Sequence, residues 1–243
     1  MRTVLLLGAT SDIGQALADK YAKEGYTVWL AGRNTSHMQD IASDLKIRHE
    51  ANVEYYKFEA LDYASHQKFY SDLPGVPDIT VCIFGYLGDQ EKAEREWNVC
   101  QNILDTNYKG AVSILNLIAN SYEEKSAGTI VGISSVAGDR GRQSNYFYGS
   151  AKAGFTVYLA GLRNRLFKCN VHVLTVKPGF VDTKMTEHLD LPAPLTAQPE
   201  KVATAIFKAV KKRKNTIYVL GIWRLIMTII TSIPEPIFKR LKL

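Results

Sequence analysis

The side chains in this sequence best suited to moving a proton are Tyr148 and Lys152, in the run Tyr148-Gly149-Ser150-Ala151-Lys152. Four residues apart at the start of a predicted helix, they share one face. A tyrosine hydroxyl, with a pKa of about 10, transfers protons poorly at neutral pH, and a neighbouring ammonium favours the phenolate and brings it toward working range. Ser135 precedes the tyrosine by 13 residues, directly after a predicted strand, in Ile133-Ser134-Ser135-Val136-Ala137-Gly138. Asn107 lies inside a long predicted helix with Gly110 three residues on. Both are unfavourable choices for a helix interior, and such inconsistency belongs to working sites.

A second group of residues suits phosphate. The apolar run Thr3 to Leu7 leads into Gly8-Ala9-Thr10-Ser11-Asp12-Ile13-Gly14 and then into a helix opening Gln15-Ala16-Leu17. Glycines at such a turn let backbone approach a pyrophosphate, and the helix N-terminus stabilises its charge. After the second strand stands Ala31-Gly32-Arg33-Asn34, with no acid to accept a ribose 2′-hydroxyl and an arginine able to pair with a 2′-phosphate. NADP(H) is therefore favoured over NAD(H).

The elements that must hold these residues are legible as an alternation. Short, almost continuously apolar strands are predicted at 2–7, 27–31, 53–58, 79–83, 129–133, 171–176 and 216–220. Helical spacing occupies 13–24, 37–48, 64–72, 97–122, 149–167 and 199–213. The pattern implies an α/β fold, a single Rossmann-like doubly wound parallel sheet of about seven strands with helices on both faces. Ligands bind such sheets at the carboxyl ends of the strands, where the motifs above fall. Residues 1–221 read as this one domain, and 222–243 as an apolar and basic C-terminal extension.

Composition removes several classes. With 243 residues, 46% hydrophobic and 22% charged, the chain can bury a substantial core. Cys82, Cys100 and Cys169 form no CxxC pair and are odd in number, which points to a reducing cytosol. The five histidines, His37, His49, His66, His172 and His188, lack metal-ligand spacing, so no metal is expected. The formal charge of +6 is uneven: residues 201–243 hold ten Lys or Arg against Glu235 alone, a net of +9, which leaves −3 on the first 200. A special tail, rather than a nucleic-acid face, accounts for the excess.

Together these motifs resemble the short-chain dehydrogenase/reductase family from Thr3 to about Lys214. The glycine-rich turn is similar to its TGxxxGxG fingerprint, with Asp12 in place of the middle glycine. Its NNAG motif after strand four is Cys82-Ile83-Phe84-Gly85 here, keeping only Gly85. The resemblance implies a catalytic set of Asn107, Ser135, Tyr148 and Lys152. NADPH would deliver hydride to a carbonyl carbon while Tyr148 protonates the alkoxide. Ser135 would bind the carbonyl oxygen, Lys152 the nicotinamide ribose, and Asn107 a relay water. It further implies cofactor contacts at Gly8, Thr10, Ser11, Asp12, Ile13, Gly14, Arg33 and Asn34. Asp62 would meet the adenine amino group, with Gly85, Pro178, Gly179, Val181 and Thr183 nearer the nicotinamide. A homodimer or homotetramer is the expected assembly.

For substrate, Arg140 and Arg142, just before Tyr148, suggest an anionic group, and Met185 belongs to a lid candidate between Thr183 and Pro199. These segments resemble the keto-reductase partner of the bacterial enzyme pair that epimerises polyprenyl-phosphate-linked ribose to arabinose. The alternatives are a reductase of a soluble ketone, sugar or hydroxy acid, and a non-catalytic NADP-binding regulator. Once 216–220 is a strand, Ile222 to Ile233 leaves 12 residues, about 18 Å of helix against a hydrocarbon core of about 30 Å. Arg224 at mid-bilayer would cost about 3 kcal/mol more. The stripe Ile222, Leu225, Ile226, Ile229, Ile230 and Ile233 could instead pack on the domain, join subunits or lie on a membrane surface. The expected location is cytoplasmic, with peripheral contact at the inner face of the cell membrane if the tail is an anchor.

Overall fold

The strands of this protein are apolar on both faces because both faces are covered. In the computed structural model, which describes residues 2–187 and 189–241, β1 (Thr3–Leu7) alternates Leu5 and Leu7 toward one helical layer with Val4 and Leu6 toward the other, all without solvent exposure. Each such side chain contributes about 2 kcal/mol. The chain continues through α1 (Asp12–Lys23), β2 (Thr27–Gly32), α2 (Thr35–His49), β3 (Val53–Lys57), α3 (His66–Ser71) and β4 (Ile79–Cys82). Next come α4 (Gln90–Ala93), α5 (Trp97–Leu104), a π-helical turn (Asp105–Lys109), α6 (Gly110–Lys125), β5 (Thr129–Ile133), α7 (Tyr146–Leu166) and β6 (His172–Pro178). The last part holds β7 (Phe180–Val181), β8 (Thr196–Ala197), α8 (Pro199–Lys211), β9 (Thr216–Val219), α9 (Ile222–Ser232) and α10 (Glu235–Phe238).

Seven strands form one parallel sheet in the order β3-β2-β1-β4-β5-β6-β9. α1, α2 and α8 cover one face through Leu17, Tyr21, Met38, Leu45, Ile206 and Phe207. α6 and α7 cover the other through Ile114, Leu115, Ile118, Phe155 and Leu159. Strand order reverses between β1 and β4, where Leu7 pairs with Cys82, so a crevice opens at their carboxyl ends. The expected fold class therefore holds, with strand ends shifted by at most two residues.

Three features depart from the expected pattern. The long central helix is broken by the π turn containing Asn107. The segment after β6 carries a two-residue parallel pairing, Phe180 with Thr196 and Val181 with Ala197. The third departure is in α9, which packs through Trp223 and Met227 with Ile226 and Ile230 of the expected apolar stripe beside them, while Ile222, Leu225 and Ile229 face outward at 51%, 62% and 58% exposure. The larger indole fills the hollow between Val136, Phe180 and Leu195, which the smaller isoleucines would leave partly empty. No helix among the described residues is long and apolar enough to cross a membrane.

Candidate active site

β1 ends at the reversal point, and Gly8 follows with φ of +96°, where a Cβ would stand 2.7 Å from the backbone nitrogen of Phe84. Only glycine permits both the dihedral and this approach. Ser11 caps α1, its Oγ accepting from the Gly14 N–H at 3.1 Å and donating to the Gly8 carbonyl at 2.9 Å. A cavity of about 480 Å³ opens here, lined among others by Thr10, Ser11, Arg33, Glu59, Gly85 and Met185. A helix N-terminus and a cation on one elongated cleft suit a nucleotide bearing phosphates.

Some residues expected at this cleft have other work. Asp62 turns away: its carboxylate accepts from the Ser65 N–H and caps a helical turn, while Glu59, Ala60 and Leu61 line the cleft in its stead. The chain leaves β3 directly over the cleft, so the acid nearest the strand end reaches it and the one three residues later does not. Asn34 caps α2 by accepting from the His37 N–H. Asp12 opens α1 and accepts from the Lys184 N–H at 2.9 Å, tying the helix to the segment after β7. Gly14 packs inside the turn, close to the Gly8 carbonyl.

A second cavity, about 180 Å³, adjoins the first and shares Gly85 and Met185 with it. Ser135, Tyr148 and Lys152 all line it, together with Ile13, Pro178, Gly179, Val181 and Thr183. β5 delivers Ser135, whose Oγ accepts from the Ala137 N–H at 3.1 Å. Tyr148 and Lys152 stand one turn apart in the first part of α7. Ser134 braces that helix, its hydroxyl donating to the Lys152 carbonyl at 2.9 Å.

Lys152 is 3% exposed and its Nζ donates to the Ile133 carbonyl at 3.0 Å. Burial pushes this ammonium down to about 8 and the Tyr148 phenol up to about 12, with a hydrogen bond to Ser135 acting against the latter shift. The expected lowering of the phenol by the lysine charge is not seen. Nζ lies 5.6 Å from the phenol ring centre, directed at a carbonyl, and desolvation governs both groups.

Asn107 does not line the cavity but shapes it. Buried in the π turn, its Nδ2 donates to the carbonyls of Tyr86 (2.6 Å) and Ile103 (2.8 Å), and its Oδ1 accepts from the Tyr86 N–H (3.1 Å). The poor helix former is thus the residue that replaces the helical bonding a π turn disturbs. It fixes Gly85 and Tyr86 beside Lys152.

The two arginines separate. Arg142 lines the smaller cavity. Arg140, expected at the substrate, instead holds the C-terminus: its guanidinium donates to the carbonyls of Ile230 (2.7 Å) and Ile233 (2.6 Å), pairs with Glu235 at 3.0 Å and lies 3.6 Å from the Phe238 ring centre. The free carbonyls at the end of α9 need donors, and Arg140 supplies them. Trp223 and Asn145 also line this cavity, and neither is among the expected site residues. The only cue to Trp223 was a lone indole in an aliphatic amphipathic run. His188 of the lid candidate lies outside the described residues, as do Lys242 and Leu243 of the tail.

Known proteins agree with this architecture. The short chain dehydrogenase family model matches residues 2–192. An uncharacterized oxidoreductase of Mycobacterium tuberculosis is 35% identical over 241 residues, covering 98% of this chain and 96% of its own. One from Streptomyces coelicolor is 36% identical over 243 residues, covering 99% and 96%. Among solved structures, a short chain dehydrogenase/reductase family protein superposes with a TM-score of 0.81 at 26% identity, covering 90% of this chain and 95% of that one. A short-chain dehydrogenase from Sphingobium yanoikuyae in complex with NADPH shares the fold with a TM-score of 0.82 at 19% identity, over 97% of both chains. The chain belongs to the short-chain dehydrogenase family, and it is an oxidoreductase of that family's Rossmann type.

Proposed function

We propose that this oxidoreductase uses NADPH to reduce a carbonyl to an alcohol. The observation that carries the reading is the convergence of Ser135, Tyr148 and Lys152 on one cavity that opens onto the cleft at the end of β1. The cleft fits the cofactor: Thr10 and Ser11 at the start of α1 suit its pyrophosphate, and Arg33 suits a 2′-phosphate. Structural neighbours carry either cofactor, NADPH in the Sphingobium protein and NAD in a Brucella melitensis 3-oxoacyl-[acyl-carrier protein] reductase, so the preference rests on Arg33.

When bound, the nicotinamide supplies the hydride. Ser135 holds the carbonyl oxygen, and Tyr148, whose burial keeps it protonated at neutral pH, donates the proton as charge develops there. With cofactor bound, Lys152, which here donates to the Ile133 carbonyl, would hold the nicotinamide ribose hydroxyls and favour the phenolate left behind. Asn107 fixes the wall formed by Gly85 and Tyr86.

The substrate reading is a keto-sugar linked to a polyprenyl phosphate, supported by the sequence resemblance and by the outward apolar face of α9. There Ile222, Leu225 and Ile229 stand exposed near Arg224, with Lys239 and Arg240 beyond, a pattern suited to the inner surface of a membrane from the cytoplasmic side. A cavity of about 180 Å³ holds a sugar-sized group, which leaves a lipid chain outside and also admits the alternative, a soluble sugar or ketone. The domain of 1–221 would act as a homodimer or homotetramer, with 222–243 as its extension. An NADPH-oxidation assay with polyprenyl-phosphate 2-keto-ribose beside soluble carbonyl compounds tests this. Turnover of the lipid-linked substrate is expected, turnover of soluble ones alone removes the lipid, and none at all leaves an NADP-binding regulator.

A further inference from the structure

Loop 139–145, between β5 and α7, half-buries three charged groups and leaves one without a partner. Asp139 is fully used: Lys177 pairs with one carboxylate oxygen, and the Tyr218 hydroxyl donates to the other at 2.8 Å. Arg140 spends its guanidinium on the C-terminal segment. Arg142 differs. Its Nε is buried with no hydrogen-bond partner, although it lines the same cavity as Ser135 and Tyr148. Asn145, on that cavity too, buries its Oδ1 without a donor. A buried guanidinium N–H and a buried amide oxygen left unpaired are costly unless something from outside completes them.

The surroundings specify what that is. The described residues lining this cavity include no carboxylate, and its charged groups are Lys152 and Arg142. The nearest acid, Asp139, faces Lys177 and Tyr218. Burial holds the Arg142 guanidinium below its ordinary range, with the Asp139 charge acting against the shift. The remaining wall, with Leu87, Phe180, Met185, Leu189 and Trp223, is largely apolar. Arg142 does not line the cleft assigned to the cofactor.

We infer that Arg142 and Asn145 form a recognition subsite in which Arg142 holds an oxyanion of the carbonyl substrate, a phosphate or carboxylate, and Asn145 accepts from a neighbouring hydroxyl. The inference rests on this cavity being the site of carbonyl reduction and adds the charge of what is reduced. Planar, forked donors suit such oxyanions, so the anion sets affinity while Ser135 and Tyr148 handle the carbonyl.

The test is a calorimetric titration of the full chain, with and without saturating NADPH, using phenyl phosphate, methyl phenyl phosphate, benzoate and uncharged benzyl alcohol. The wild type is expected to bind an anion about tenfold or more tightly than the alcohol, as a charge-assisted pair requires. Methyl phenyl phosphate preferred over phenyl phosphate indicates a diester, as in a lipid-linked sugar, and the reverse a free phosphate. Arg142→Met is expected to abolish the preference and Tyr148→Phe to keep it. Arg142→Lys, which retains charge without the fork, should fall between and decides the matter if the methionine variant does not fold. Equal binding of anion and alcohol by the wild type, or an undiminished preference in Arg142→Met, overturns the subsite. Failure of NADPH to bind instead rejects the reductase reading, and the cofactor-free titration still decides on Arg142.

Discussion

Trp223 occupies the space that a side chain at Gly179 would need: a Cβ there would meet the indole Cε2 at 1.9 Å and Nε1 at 2.0 Å. The glycine follows β6 and the tryptophan comes from α9, so the C-terminal segment forms part of the cavity wall that holds Tyr148. The indole N–H also donates to the Leu195 carbonyl at 3.1 Å, which ties in the segment between β7 and α8. Gly179→Ala should therefore destabilise by about 3 kcal/mol through overpacking, and Trp223→Ala by about 3–5 kcal/mol through the cavity it leaves. In the double variant the new methyl group enters vacated space, so its loss should be smaller than the sum of the two. Urea unfolding of the four proteins measures this coupling, and strict additivity would show that the two residues do not compete for space.

The same segment depends on Arg140. Its bonds to the Ile230 and Ile233 carbonyls satisfy the end of α9, whereas the pair with Glu235, 72% exposed, adds little. Arg140→Ala should lower the local opening free energy of α9 and α10 by about 2 kcal/mol. Hydrogen exchange would then speed up at amides from 228 to 238 while β4 and β5 stay protected. Uniform protection in the variant would contradict the anchoring role.

These contacts show where sequence reading stops. Continuous apolar runs identify strands covered on both faces, and glycines, Ser135, Tyr148 and Lys152 stand at strand ends or in one helical turn, so local spacing suffices to place them. Arg140 and Arg142 are two residues apart and chemically identical, yet their fates diverge because one meets residues about 90 positions later in the chain. Glu59 and Asp62 pose the same difficulty, since only the path of the chain leaving β3 decides which acid faces the cleft. The inward face of α9 could not be read from hydropathy, because its broad apolar arc holds both the buried Trp223 and Met227 and the exposed Ile222, Leu225 and Ile229.

The proposed preference for NADPH rests on Arg33, which lines the larger cleft and forms no ion pair among the described residues. Arg33→Asp places a carboxylate where a 2′-phosphate is expected. The KM for NADPH should rise about tenfold or more, with that for NADH unchanged or lower. Steady-state kinetics with both cofactors measure the switch. A variant that keeps the wild-type preference would remove Arg33 from recognition.

Burial of Lys152 has a signature in stability. Its ammonium titrates near 8 in the folded chain against 10.5 unfolded, so between these values the unfolded state binds more protons and stability rises with pH. Tyr148 opposes this only above its ordinary value of 10.0, where the folded state, with the phenol pushed up to about 12, holds the extra proton. Lys152→Met removes the lysine contribution. In the absence of cofactor, its stability advantage over the wild type should therefore shrink from pH 7 to pH 10, by about 3 kcal/mol at most. Urea midpoints across this range check the trend, and a constant difference would mean that the lysine is not held in a desolvated state.

The central claim is that Tyr148 supplies the proton for carbonyl reduction, and Tyr148→Phe removes that hydroxyl while keeping the ring. With any carbonyl compound the wild type reduces, kcat of this variant should fall about a hundredfold or more, as expected for loss of a positioned acid. NADPH binding, read by cofactor fluorescence, should stay within about twofold. A Tyr148→Phe enzyme that binds NADPH normally and reduces the carbonyl at the wild-type rate would contradict the account.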